Sequence, residues 1–401
     1  AMNRKVRFEL SAMMFLEYYI WGTWFVAMAR YLADGLQAEP GQIGTIYALA
    51  WVGAMISPFF VGAISDRYFA AQKMNGVLHL AGAGLLYFLS QTPSVSAFYW
   101  GMLAYSVLFM PTIALTNAIA MRQSSDIAKD FPQLRVLGTI AWIVSNVVVG
   151  TLDIGNTNLI FIIPAVLSLG FGIYSFFLPD TPPQPSGESV WKNFSSAFVL
   201  FKDRSYSVFF IGSVLLCIPL SFYYSYANVF LASGAGLANT ETIMAVLGQG
   251  SEVAFMLALP FFLKRWGVRN ILLVGMAAWV LRYLLFRYGL DGGVWMLYLG
   301  VFLHGICYDF FFATGQIYTD LKAPLGVKSA AQGLITFATY GVGLTVGSQF
   351  SGLVAEGYTI DGIINWAGLW LVPAAIAGVL LVLFLVLFRD RKPTAAVGGV
   401  G

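Results

Sequence analysis

Twelve apolar stretches, most of them twenty or more residues long, run one after another along this 401-residue chain. A helix of about twenty apolar residues spans the roughly 30 Å hydrocarbon core of a bilayer. Inside lipid every backbone N–H and C=O must be satisfied within the segment, which leaves the helix as the one open-ended solution. The expected spans are 8–33, 41–65, 74–92, 95–121, 133–152 and 157–178, then 206–232, 240–263, 269–289, 293–319, 328–355 and 364–388. Composition agrees: 59% of residues are hydrophobic and 10% charged, against about 25% charged in soluble domains. The fold class predicted is an all-α membrane protein with twelve transmembrane helices.

Lys and Arg placement orients the spans. Arg4, Lys5, Arg7, Arg67, Lys73, Arg122, Lys129, Arg135, Lys192, Lys202, Arg204, Lys264, Arg265, Arg269, Lys322, Lys328, Arg389, Arg391 and Lys392 all fall on one side. The opposite connections carry Asp34, Glu39, Asp153, Asp291 and Asp361. The positive-inside rule puts both termini and the central linker in the cytoplasm. No cleavable signal peptide is visible, because basic residues lead straight into a full-length apolar run. Ala1 and the trailing 393–401 look like cloning remnants, leaving an N-terminal half at 1–178, a linker at 179–205 with Pro182, Pro183 and Pro185, and a C-terminal half at 206–392. Pro58-Phe59-Phe60 and Pro260-Phe261-Phe262 echo one another at the cytoplasmic ends of the second helix of each half, as expected of repeated halves around a midplane site.

Several function classes are excluded at this level. Cys217 and Cys307 sit inside apolar runs with no CxxC pattern, and His79 and His304 belong to no HExxH pattern. Metal chemistry and a disulfide framework therefore have little to work with, and no cofactor is expected beyond protons as a coupling ion. No nucleophile–base motif marks an enzyme, and no sizeable soluble domain marks a receptor. Nucleic acid is not expected as a partner; the lipid bilayer and a small-molecule substrate are, with the chain acting as a monomer.

Glu17, Glu252 and Asp309 lie inside apolar spans. An acid there costs about 2.5–3.5 kcal/mol on insertion scales and marks a functional group by default. Gln249 and Glu252 share a face at i, i+3. Arg135, Thr139 and Trp142 form one stripe, Ser221, Tyr224 and Asn228 another, and His304 and Tyr308 stand one turn apart beside Asp309. Aromatic faces, an amide and charges suit a small, flat, polar ligand. Each has a plainer reading: the acids paired structurally with Arg135 or Arg282, Arg135 snorkelling as an anchor, His304 a satisfied core histidine, and Glu17 holding a kink at Gly22.

Gly62-Ala63-Ile64-Ser65-Asp66-Arg67 resembles the GxxxDR signature of the major facilitator superfamily, with Tyr68-Phe69 departing from it. Asp66 and Arg67 are then expected to latch the cytoplasmic side. Trp21-Gly22-Thr23-Trp24, Asp130-Phe131-Pro132 with Arg135 and Gly138-Thr139-Ile140, Ser251-Glu252, Asp309-Phe310-Phe311 and Ser329-Ala330-Ala331-Gln332-Gly333 resemble the nucleoside:proton symporter family. The family includes bacterial nucleoside permeases and the xanthosine permease. The resemblance implies a major facilitator fold of two six-helix halves, in a bacterial inner membrane, importing nucleosides with protons by alternating access. It places Arg135, Thr139, Gln249 and Glu252 at the nucleoside and Asp309 at the coupling proton. The mechanism expected from these residues is that a proton neutralises Asp309 or Glu252 before the site turns inward, with Arg135 competing for the ionised acid. Departures fall on the expected cavity: His304 for a tyrosine, Tyr308 for a phenylalanine, Ser221 and Tyr224 for amides, Glu17 for a glutamine. A proton symporter of another small polar metabolite, such as a sugar, is the alternative.

Overall fold

A computed structural model describes residues 2–184 and 187–390; Arg391, Lys392, Pro185, Ala1 and the tail at 393–401 lie outside the described residues. Helices account for nearly all of it. α1 is Arg4–Phe25, continued by Met28–Arg30 and a π turn at Tyr31–Gly35. α2 is Pro40–Phe60, extended through Val61–Ser65 and Asp66–Tyr68; α3 is Ala71–Gln91, α4 Val95–Gln123, α5 Ile127–Thr151 and α6 Leu159–Ser175. After a short linker helix at Val190–Ser195 and a 3-10 stretch at Ser196–Lys202 comes α7, Arg204–Val229 with a π turn at Phe230–Gly234. α8 begins as Thr240–Ile243 and a π turn at Met244–Gln249, then joins a 43-residue helix, Gly250–Gly292.

That helix contains two expected spans. It bends at Gly267, whose φ of 75° is the left-handed region open to glycine, so 250–266 completes α8 and 268–292 is α9. α10 is Val294–Lys322, interrupted by a π turn at Asp309–Ala313. α11 runs through Lys328–Thr336, a π turn at Phe337–Gly343 and Leu344–Gly357. A hairpin of β1 (Thr359–Ile360) and β2 (Ile363–Ile364) leads into α12, Trp366–Leu387. Each expected span thus falls on a helical rod.

Seven helices among the described residues are long and apolar enough to cross a membrane on those grounds alone, the fused α8–α9 rod counting once. α1, α3, α6 and α11 fall short because they carry polar groups or, in α6, only 17 residues. α5 starts at Ile127, six residues before the expected 133. Asp126 caps it by accepting from the Lys129 N–H, and the Asp130 carboxylate accepts from the N–H groups of Ser125 and Asp126 at 3.1 and 3.0 Å. Those bonds satisfy donors that a helix start leaves open, so the helix begins before Pro132.

Large apolar side chains such as Trp100, Phe177 and Leu257 point outward, as lipid contact requires. Where rods cross, small residues let backbones approach. α2 packs on α11 with Gly44 against Gly352: a Cβ at Gly44 would lie 2.5 Å from the Gly352 Cα.

Candidate functional site

The centre of the molecule is a box of aromatic rings contributed from both ends of the chain. Trp21, Phe25, Trp51 and Trp142 come from α1, α2 and α5; Tyr224, Tyr308 and Tyr340 come from α7, α10 and α11. Trp21 meets Trp142 edge-on at 5.3 Å, Phe25 meets Tyr224 at 5.4 Å, and Trp51 bridges Tyr224 and Tyr340 at 6.1 and 6.2 Å. These are attractive edge-to-face and tilted separations. Tyr308 and Tyr340 join their hydroxyls in a hydrogen bond.

A second stack backs this box. The Arg282 guanidinium lies 3.9 Å over the Tyr223 ring, Tyr223 stacks on His304 at 5.1 Å, and His304 stacks on Tyr308 at 5.7 Å. Arg282 is fully buried and donates to the carbonyls of Gly300 and Val301. It therefore anchors the stack and pairs with no acid among the described residues. His304 Nε2 lies 3.5 Å from Glu252 Oε2, and Glu252 is the more exposed of the two.

The expected site residues divide into two groups. Arg135, Thr139, Trp142, Tyr224, Gln249, Glu252 and Tyr308 are partly exposed. Trp142, Tyr224 and Gln249 share the lining of a cavity of about 20 Å³ with Phe25, Tyr223 and Asn146; Tyr224 and Tyr308 lie within electrostatic range of Glu252. The cavity has room for about one water molecule, so a larger ligand requires the rods to part. The Arg135 guanidinium rests 4.1 Å over the Tyr18 ring and makes no ion pair among the described residues.

Ser221, Asn228, His304, Asp309 and Glu17 are buried. Ser221 donates to the Cys217 carbonyl and faces Gly347 of α11, away from the rings. The Asn228 amide donates to the Val26 carbonyl and to Glu241, and its oxygen accepts from Thr240 at 2.6 Å. Asp309 is 0% exposed, and neither carboxyl oxygen has a hydrogen-bond partner. Glu17 lies among α3 and α4 side chains, bonded to His79 and Thr112.

Sequence reasoning missed the group that holds Asn228. Arg30 of α1 reaches Glu241 at the start of α8 with one nitrogen 3.2 Å from both oxygens, and Asp153 beyond α5 at 2.7 Å. Glu241 is fully buried. Nearby, the Tyr226 hydroxyl of α7 donates to the Pro40 carbonyl at 2.6 Å. These bonds tie α1, α2 and the α5 end to α7 and α8, at the end of the molecule opposite the chain termini. Arg30 and Glu241 sit near the predicted edges of their spans, where charge at a membrane surface is ordinary, so neither stood out.

Asp66 and Arg67 do not pair with each other. Asp66 lies 3.5 Å from Arg122 of α4, while Arg67 donates to the Glu188 carbonyl in the linker. On the same side Lys322 bridges Asp203 at 2.8 Å. Burial works to raise the Asp203 carboxyl, but the hydrogen bond and charge of Lys322 outweigh it and hold the group below the usual carboxylate range.

A bundle of apolar rods around a polar, aromatic-lined centre, with buried acids and a charged tie joining rods at one end, is the arrangement of a membrane transporter. The chain matches the Nucleoside H+ symporter family over residues 2–393, and it belongs to that family. It is 42% identical over 405 residues to YegT, a transporter of Escherichia coli (strain K12), covering 96% of this chain and 94% of that protein. It is 31% identical to the xanthosine permease of the same organism, covering 96% of each. The crystal structure of the nucleoside transporter NupG superposes with a TM-score of 0.88 at 30% identity, covering 96% of this chain and 100% of that one. The protein is thus a multi-pass membrane transporter of the major facilitator type and not an enzyme, and its family moves nucleosides together with protons.

Proposed function

We propose that each of the twelve rods crosses the membrane, that 1–178 and 206–392 form two halves joined by a cytoplasmic linker, and that both termini are cytoplasmic. The tie at Arg30, Glu241 and Asp153 then closes the outer end, and a nucleoside binds where Arg135, Thr139 and Trp142 of α5 meet Gln249, Glu252 and Tyr308. The observation that carries this reading is the shared aromatic box. Rings from both halves meet where a flat base would slide between them, with an amide and a carboxylate beside them to bond its edge and sugar hydroxyls.

Asp309 is the coupling acid in this reading. An ionised carboxylate with no partner at 0% exposure costs several kcal/mol. The arrangement seen here therefore accommodates Asp309 neutral, and losing the proton favours a different arrangement of α10. Glu252, on the chamber side and against His304, senses both ligand and proton. A membrane potential of 100 mV contributes about 2.3 kcal/mol per charge moved, roughly a fifty-fold concentration ratio.

Uptake of labelled uridine and adenosine into proteoliposomes, with and without an imposed proton gradient, tests the function. Asp309→Asn is expected to abolish gradient-driven accumulation and retain exchange of labelled for unlabelled nucleoside. Full accumulation by that variant removes Asp309 from the mechanism, and sugar uptake without nucleoside uptake removes the substrate class.

A further inference from the structure

The chain has two histidines, and each faces a glutamate inside the apolar rods. The His304–Glu252 pair borders the chamber. The other, His79–Glu17, sits away from it with 2% and 0% exposure. Its burial and its partners constrain how many protons it holds.

Ser168 of α6 has a single hydroxyl proton, and it donates that proton to the His79 carbonyl at 2.8 Å. Its oxygen also lies 3.1 Å from His79 Nδ1, where the tautomer decides which atom donates. His79 Nε2 faces Glu17 Oε2 at 2.7 Å, and two heavy atoms that close require a hydrogen between them. Glu17 is 0% exposed and its other bonded partner is the neutral Thr112 hydroxyl. A carboxylate facing a neutral ring would there be an uncompensated buried charge, so the arrangement favours one further proton on the pair, as an imidazolium facing a carboxylate or a carboxylic acid facing a neutral ring. If that proton leaves, the buried charge is uncompensated and separation of ring and carboxylate is favoured.

We propose that Glu17 and His79 form a second proton-binding site, holding one transferable proton that clamps α1 to α3. The proposal rests on the proton-coupled reading above and adds a site outside the ligand chamber. The other groups facing Glu17 leave the clamp to His79. α4 contributes the Thr112 hydroxyl, which bonds Glu17 Oε1, and the Tyr105 phenol; α5 contributes Arg135 through the intervening Tyr18 ring; α6 contributes Ser168 and no charged group. Thr116, one turn beyond Thr112 toward the Gln123 end of α4, extends a polar line from the pair.

The consequence reaches the chamber through one residue. Tyr18 follows Glu17 and carries the Arg135 guanidinium on its ring, and its ring packs against Gly138. Releasing Glu17 from His79 frees α1 to turn, and Tyr18 carries Arg135 with it. The state of the pair would thereby set where the ligand-facing guanidinium stands.

Having two histidines makes the test direct. Protein labelled with 15N-histidine gives two sets of ring signals, and His79→Gln assigns them by loss. From about pH 5 to about pH 9, the His79 Nε2 signal is expected to respond to pH, and Glu17→Gln is expected to abolish or change that response. In proteoliposomes, the proton-to-uridine ratio read from the reversal potential is expected to fall by one in Glu17→Gln and in His79→Gln. A His79 ring that is silent to pH in the wild-type protein, or an unchanged ratio in either folded variant, overturns the proposal. His304→Gln assigns the same two signals should His79→Gln fail to fold, and the titration stands apart from the Asp309→Asn result, so failure of the chamber reading and failure of the second site are separable.

Discussion

Glu241→Gln should unlock the end of the transporter that Arg30 now holds shut. The glutamine keeps the shape and can keep the Asn228 contact, so the change isolates charge. Wild-type Arg30 reaches both Glu241 oxygens at 3.2 Å inside a fully buried setting. Breaking a buried ion pair costs about 3–5 kcal/mol, but Arg30 keeps Asp153 at 2.7 Å, and Asp153 is largely exposed. The loss is then closer to that of a hydrogen bond between charged groups, about 2 kcal/mol. Applied to the closed arrangement alone, this shifts the open-to-closed ratio about thirty-fold. The assay is thiol labelling of Ala245→Cys, a buried cavity-lining position just inside the tie. The native thiols Cys217 and Cys307 are buried and contribute little background. An impermeant maleimide added to the outside of vesicles should label the cysteine about thirty-fold faster when Glu241 is glutamine. A rate unchanged within about a factor of two refutes the claim that this tie holds the outer end closed.

Other outcomes rest on the same packing and hydrogen bonds. Tyr340→Phe removes the partner of the Tyr308 hydroxyl, and a lost buried hydrogen bond of about 1 kcal/mol should raise the KM for uridine about five-fold, read from initial uptake rates. Gly44→Ala places a Cβ against the Gly352 backbone, which has no side chain to yield. Overpacking of about 1–3 kcal/mol should lower the thermal midpoint of detergent-solubilised protein. Because Asp203 is held below the usual carboxylate range, its tie to Lys322 stabilises the fold above about pH 4 and is lost as pH falls through its lowered value. The melting difference between wild type and Asp203→Asn should therefore be present at about pH 6 and shrink below about pH 4.

Hydropathy located the rods because lipid imposes a length and a polarity that sequence records directly. Finer features depended on geometry that spacing does not carry. Ser221, Tyr224 and Asn228 form a stripe at helical intervals, yet one faces Gly347, one the aromatic box and one Glu241. A stripe says which residues share a face; it does not say how many neighbours that face meets along its length. The π turns add a second reason. Met244–Gln249 and Asp309–Ala313 each widen the helix beside a candidate acid, so a 100° projection misplaces the residues beyond each turn. The Glu17–His79 pair was invisible for a simpler reason: its members are 62 residues apart, and nothing in either local pattern names the other.

The buried charges differ in how fully they are satisfied, and that difference separates structural from working groups. Glu241 has Arg30 and Asn228, and Arg282 has two carbonyls and two ring faces; Glu17 stands between the two kinds, bonded to Thr112 and to a ring that can itself gain or lose a proton. Asp309, as buried as Glu17 and Glu241, has neither oxygen bonded. A satisfied charge resists change, because altering its protonation breaks bonds on both sides. Asp309 has no such bonds to lose, so taking up or releasing a proton there changes the energy of the arrangement itself. The carboxyl best placed to convert a proton gradient into movement is thus the one that the fold leaves unpartnered, and Glu17 joins it through the proton it shares with His79, whose release would break the contact between α1 and α3.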